Sequence, residues 1–405
     1  MEVLCLWYNR RASTPPQSRL NLASLADTME AVTIFLLLLA NKATGYLVPN
    51  PPGRYNVTLT TGSLVDYTRN DTYSATPTPR ALMLSVFQPA MCASTVPVSY
   101  MPDKTAEYQG PFIDQLLHVS ANITPLFLDA RLPVCPDCPL LHDTPILLFS
   151  PGYSIPRLYY NILASAIASE GFTVITIDHP SDANIIIYPD GREVYNNASI
   201  LDSPTWDQYP RAADASFVID QLSNASAMGE LLPRRGVRPF PTDRVVAMGH
   251  SAGGASAVIA ASRDPRIRGA INWDGSIQGS PPPPGLSQPV QAMSQPVLFM
   301  TRQDWVDDSW LAAWPQLEGP KLVVYVANTT HYAFSDVPTL SQAAGRDAAP
   351  FVDILGTIAP AVMVRILTAY TTAWMNGVFA AKEGGLLLEG PGDFSEVSTL
   401  MKGNF

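Results

Sequence analysis

Short, nearly unbroken apolar runs recur along the chain, at residues 81–87, 145–149, 172–178, 244–248, 267–273, 297–301 and 321–326. Their length fits strands, and the lack of polar alternation means that both faces are buried. Between them, helical spacing predicts helices near 157–169, 209–226, 252–262 and 308–316, and a long final one over about 351–381. Strand–helix alternation of this kind predicts an α/β fold, a mostly parallel central sheet with helices on both faces. Residues 46–78, rich in Thr, Asn, Pro and Gly, read as an irregular lead-in with room for one strand. Segments 179–208 and 276–296, the second containing four consecutive prolines, leave the C-terminal ends of strands, where open α/β sheets bind ligands. They read as insertions that shape a pocket, or as plain surface excursions. There is no internal repeat and no second core, so residues 46–405 are expected to form a single domain.

One of these runs carries chemistry. Val245-Val246-Ala247-Met248 feeds Gly249-His250-Ser251-Ala252-Gly253 and then a small-residue helix, which is the pattern of a nucleophile elbow. The glycines let strand and helix cross closely while Ser251 is lifted clear of the backbone. The helix start beside it offers N–H groups and partial positive charge to an oxyanion. A serine nucleophile needs a base, and the base needs a carboxylate, in the chain order Ser, acid, His. Of the five histidines (His118, His142, His179, His250 and His331), only His331 follows Ser251, on a short loop after a strand. For the acid, Asp274 and Asp304 each end a strand and spacing alone does not separate them, whereas Asp307-Asp308 reads as a helix N-cap. The oxyanion donors are expected to be the backbone N–H groups of Ala252 and of Tyr153, in the turn Phe149-Ser150-Pro151-Gly152-Tyr153.

Composition narrows the setting. A net charge of -10 over 405 residues argues against a nucleic-acid partner. Met29-Glu30 precedes ten largely apolar residues and then Asn41-Lys42-Ala43-Thr44-Gly45. That run is shorter than the roughly 20 residues a membrane span needs and reads as a secretory signal over 29–45, with 1–28 an N-terminal extension. Sequons at Asn56, Asn70, Asn122, Asn197, Asn224 and Asn328 fit secretion. With Cys5 lost alongside the leader, Cys92, Cys135 and Cys138 remain. Cys135-Pro136-Asp137-Cys138 lacks a second half for a zinc site, so a disulfide from Cys92 to one of the pair is expected, the partner left open. The apolar run 362–370 is expected to pack on the sheet, with peripheral lipid contact as the competing reading.

Phe149-Ser150-Pro151-Gly152-Tyr153, Gly249-His250-Ser251-Ala252-Gly253-Gly254, Trp273-Asp274-Gly275 and His331 resemble the platelet-activating factor acetylhydrolase-like α/β hydrolases, fungal secreted members in particular. The stretch from Ser150 through Asp178 is also similar to polyester-cleaving cutinases of the same superfamily. The resemblance implies the α/β-hydrolase fold and hydrolysis of short-acyl lipid esters with neither metal nor organic cofactor. It also implies that the acid follows the strand next after the nucleophile strand, which favours Asp274 over Asp304. The chain departs from the mammalian pattern at Pro151-Gly152, where those enzymes carry His-Gly; this keeps the backbone donor but weakens the inference of the same phospholipid specificity. Competing readings are a cutinase-like or biosynthetic carboxylesterase and, from another class, a non-catalytic binding protein on a hydrolase scaffold.

Overall fold

Alternate residues of each central strand enter two different cores, which is why the strands read as continuous apolar runs. In Ile146–Ser150, Leu147 and Phe149 join one cluster while Ile146 and Leu148 join the other. The computed structural model describes residues 45–405 except 118–119, 121, 137, 203–207, 236–237, 278–288, 303–304, 381–386 and 388–391. The predicted extension and signal over 1–45, all but its last residue, and most of the Pro-rich insertion therefore lie outside the described residues. Gly45–Phe405 form one compact unit.

Nine strands make the main sheet: β1 (Asn56–Asn70), β2 (Pro79–Ala90), β3 (Ile146–Ser150), β4 (Thr173–Asp178), β5 (Val245–His250), β6 (Ile267–Trp273), β7 (Val297–Arg302), β8 (Lys321–Val326) and β9 (Val397–Gly403). Their spatial order is β1-β2-β4-β3-β5-β6-β7-β8-β9. The six from β4 to β8 run parallel, whereas β1, β2 and β9 join antiparallel at the two edges. The main helices are α1 (Asp103–Leu117), α2 (Asn161–Ala168), α3 (Gln208–Leu222), α4 (Ala252–Arg263), α5 (Asp308–Ala313) and α6 (Pro360–Ala380). Buried residues of α2 and α6 share one core with the sheet, and those of α3 and α4 share the other. This is the α/β-hydrolase fold.

The expectations fail where burial is one-sided. The one strand expected within 46–78 is longer than the irregular reading suggests: β1 runs for 15 residues paired along β2, between largely irregular stretches at 46–55 and 71–78. Its Thr-rich, half-exposed pattern belongs to an edge strand, which need not be apolar on both faces. Strand β9 was invisible for the same reason. The helix expected over 209–226 ends at Leu222, and a second one starts at Ala225 with Asn224 as its cap. The segment 179–208 holds a small hairpin, Ile185–Ile187 with Glu193–Tyr195.

The long C-terminal helix is broken. A short helix, Val352–Leu355, stops at Gly356 (φ 76°) and α6 starts at Pro360. In the gap, the N–H groups of Thr357 and Ile358 both donate to Asn328 O at 2.9 Å. The span Ala349–Phe379 is long and apolar enough to cross a membrane, but Met363, Ile366, Leu367, Tyr370 and Trp374 are buried in the sheet-side core.

Cys92 bonds Cys135, and Cys138 Sγ lies 2.6 Å from Cys135 Sγ. The bridge ties the chain after β2 to the end of a small strand, Arg131–Val134, across 43 residues. Closing a loop of that length lowers the entropy of the unfolded chain, so Cys135→Ser is expected to cost about 2–4 kcal/mol. Urea midpoints check this: Cys138→Ser should leave the midpoint in place, and an equal loss in both variants would contradict the assignment.

Candidate active site

The elbow is built from a close approach that only glycine permits. Strand β5 is buried throughout, and the chain then turns at Ser251 (φ 57°, ψ -126°) directly into α4. A Cβ on Gly249 would sit 2.3 Å from Gly253 C, and one on Gly253 would sit 2.0 Å from Ser150 O. The turn after β3 is therefore pressed against the elbow itself. Ser251 is held in its left-handed conformation by its N–H, which donates to Trp273 O at 2.8 Å. Such a conformation is costly for a residue with a side chain and persists only where surrounding contacts enforce it.

Asp274 stands one residue beyond β6, also at positive φ (52°), and its N–H donates to Met300 O at 2.8 Å. Its carboxylate is buried. Oδ1 accepts from Thr301 Oγ1 at 2.9 Å and from Arg302 N at 3.2 Å. Oδ2 accepts from His331 Nδ1 and from Arg302 Nη1, both at 2.5 Å. Burial pushes this carboxyl up, but the His331 hydrogen bond and the charges of His331 and Arg302 outweigh it and hold it below the ordinary carboxylate value. An ionised carboxylate can only accept, so Nδ1 of His331 carries the proton of this bond.

His331 opens a short 3-10 turn, His331–Phe334, after β8, and its ring is about one-third exposed. Its ring centroid lies 4.5 Å from that of His250, the residue before Ser251. His250 is buried, and its Nδ1 is 2.8 Å from Tyr160 Oη. Burial, with His331 beside it, keeps the His250 imidazole well below its ordinary value and so neutral. Among the described residues Ser251 Oγ makes no hydrogen bond to His331. In ligand-free hydrolases this contact is often open and tightens when substrate binds.

The turn Ser150–Tyr153 passes close to Ser251. A Cβ on Gly152 would lie 3.5 Å from Ser251 Cβ. The Gly152 N–H donates to Tyr160 Oη at 3.2 Å, so the next backbone donor in the turn is that of Tyr153. Ala252 is the first residue of α4, where the N–H groups have no partner within the helix.

The structure thus gathers Ser251, Asp274, His331, Ala252 and Tyr153 at one end of the sheet. Asp304 falls outside the described residues. Asp307 caps α5 as expected, accepting from Ser309 N at 2.8 Å. Asp264 pairs with Arg266, away from the cluster. Two features went unread: Arg302 on the candidate acid, and the Tyr160–His250 contact under the elbow. Arg302 was legible only as the end of a strand, and nothing local marks Tyr160. Among His, Cys, Asp and Glu of the described residues, one trio lies within metal reach, Cys92, Cys135 and Cys138, and two of its sulfurs are joined in the disulfide.

Residues 239–382 match the family described as platelet-activating factor acetylhydrolase, isoform II. A probable 1-alkyl-2-acetylglycerophosphocholine esterase of Arthroderma benhamiae is 30% identical over 403 residues, 90% of this chain and 98% of that protein. The chain belongs to this family. The matched stretch holds Ser251, Asp274 and His331, whereas the turn 150–153 precedes it. A solved ferulic acid esterase from Streptomyces cinnamoneus superposes with a TM-score of 0.71 at 25% identity, over 88% of this chain and all of that one. A family of esterases and an esterase neighbour make this chain an ester hydrolase.

The loop bearing His331 is anchored two residues past its turn. Asp336 Oδ2 accepts from Ile162 N at 2.6 Å and Tyr100 Oη at 2.8 Å, and Oδ1 from Leu163 N at 3.1 Å, at the start of α2. Burial pushes the Asp336 carboxyl up to about 7, although these three donors pull it down. A carboxyl whose folded value exceeds its unfolded value binds more protons when folded. Its stabilising contribution is full below about pH 4 and is lost as pH rises through about 7. The urea midpoint should fall between about pH 4 and 7, and Asp336→Asn should flatten that slope. Parallel slopes in the two proteins would contradict this.

Proposed function

We propose that the chain is a secreted esterase acting on short-acyl lipid esters of the platelet-activating factor type through Ser251, His331 and Asp274. The observation that carries this is the 2.5 Å contact from His331 Nδ1 to the buried Asp274, next to a serine on a strained elbow. Ser251 Oγ attacks the ester carbonyl carbon and its proton passes to His331 Nε2. The alkoxide leaves with that proton, giving an acyl-enzyme. Water, deprotonated by His331, then releases the carboxylic acid and restores Ser251. Asp274 holds the imidazole tautomer and balances the imidazolium, and the N–H groups of Ala252 and Tyr153 receive the oxyanion. The choice of Asp274 over Asp304 is supported by the contacts its two oxygens make.

The printed activity of the Arthroderma benhamiae relative supports an acetyl-glycerophosphocholine substrate. The ferulic acid esterase neighbour supports a second reading, an aromatic-acid or cutinase-like ester. Secretion is supported by the Cys92–Cys135 bridge, since disulfides persist in oxidising compartments. Asn70, Asn122, Asn224 and Asn328 are exposed, whereas Asn56 and Asn197 are half-buried with their amides engaged. Exposed Val306 and Leu311, on the segment after Arg302, support peripheral contact with a lipid surface.

Ser251→Ala should lower kcat on p-nitrophenyl acetate by about 10⁶-fold and abolish fluorophosphonate labelling. An unlabelled wild-type protein would point instead to a non-catalytic scaffold. Asp274→Asn should cost about 10⁴-fold in kcat, with Asp304→Asn near wild type; the reverse order would move the acid to Asp304. Turnover of an acetyl-glycerophosphocholine, a feruloyl ester and a short polyester, compared by kcat/KM, decides among the substrate readings.

A further inference from the structure

The turn that carries the Tyr153 donor is gripped from behind by α3. Arg211 on that helix is fully buried and holds Asp182 through Nε (2.8 Å to Oδ2) and through Nη2 to Oδ1. Its Nη1 also donates to Pro151 O at 2.5 Å, and its Nη2 to Gly152 O at 3.4 Å. These two carbonyls belong to the two peptide units that matter. A trans peptide is planar, with its N–H pointing opposite to its C=O. Drawing Pro151 C=O toward Arg211 therefore sends the Gly152 N–H away from it, toward Tyr160 Oη. Drawing Gly152 C=O toward Arg211 sends the Tyr153 N–H away from α3. Without such a grip the unit between Gly152 and Tyr153 could flip cheaply, because glycine allows either orientation.

One helical turn on, Asp214 holds the same turn by a second route. Its Oδ2 accepts from His179 Nδ1 at 2.7 Å, and His179 Nε2 lies 3.0 Å from Ser150 Oγ. Asp214 is fixed in turn by Arg80, through Nε and Nη2 at 2.7 Å each. Ser150, His179 and Asp214 repeat the hydrogen-bond connectivity of a hydrolytic triad, though not its chain order, but all three are buried, so no acyl group can reach them. They form a clamp.

We propose that Arg211 is a positioning residue for ester hydrolysis: it orients the peptide unit that presents the Tyr153 N–H to the oxyanion, with the Asp214–His179–Ser150 chain as its second anchor. Hydrogen bonding to Gly152 C=O also polarises that amide and strengthens its N–H as a donor. The inference rests on the reading of Ser251 as nucleophile and Tyr153 as oxyanion donor.

The test compares wild type, Arg211→Lys, the charge-balanced pair Arg211→Gln with Asp182→Asn, and Ser251→Ala. Readouts are melting temperature, kcat and KM on p-nitrophenyl acetate, and affinity for an aryl boronate that mimics the tetrahedral intermediate. Outright loss of one oxyanion donor costs about 10²–10³ in kcat, so misorienting it should cost about 10- to 100-fold in the paired variant. KM should hold, and boronate affinity should fall in proportion to kcat. Arg211→Lys, which keeps the charge but cannot bridge both carbonyls, should recover part of the loss. If the paired variant does not fold, Arg211→Lys alone decides: a kcat reduced at constant KM supports the proposal. A kcat equal to wild type, or a loss fully explained by the unfolded fraction, overturns it. Should Ser251→Ala remain active, the nucleophile assignment fails instead.

Discussion

The site depends on one backbone constraint, the left-handed turn at Ser251. Nothing in serine favours that conformation; it is imposed by the hydrogen bond to Trp273 O and by the contact of Gly249, Gly253 and the Ser150 carbonyl. The same contact sets the distance between α4 and the turn Ser150–Tyr153 beside it. A methyl group at either glycine would wedge these elements apart, so sheet packing, elbow and turn stand or fall together. The strain at a single residue is therefore held by three adjacent strands, β3, β5 and β6.

Charge is arranged around this constraint with little redundancy. Asp274 is buried yet ionised because a guanidinium and an imidazole share one of its oxygens. His250, beside His331, is kept neutral by burial, which avoids a second positive charge against the candidate base. Asp214 is likewise held ionised, against burial, chiefly by Arg80 and by the hydrogen bond from His179. The pattern separates two His–Asp pairs in one protein, in which the imidazole of His331 is about one-third exposed and that of His179 is not exposed at all.

Much of the parallel sheet was legible because strands buried on both faces write their burial directly into the chain. Edge strands β1 and β9 were not, since one exposed face dilutes the signal with Thr, Ser and Lys. Ser251 and His331 could be named from motif and order, because a single histidine follows the elbow. Spacing leaves Asp274 and Asp304 level and the resemblance favours Asp274; the structure puts the Asp274 carboxylate against His331, while Asp304 lies outside the described residues. Arg302, Tyr160 and Arg211 escaped notice for another reason: their roles exist only through contacts made 28, 90 and 60 residues away.

The interruption at Gly356 has a use that an uninterrupted helix would forbid. In a continuous helix the N–H groups of Thr357 and Ile358 would point along the axis, each consumed by a carbonyl four residues back. Breaking the helix releases both, and they converge on the carbonyl of Asn328, three residues before His331. Two forfeited rungs of helical ladder thus become a tether for the loop that carries the histidine. A substitution that mended the helix would stiffen the wrong element and set that loop adrift.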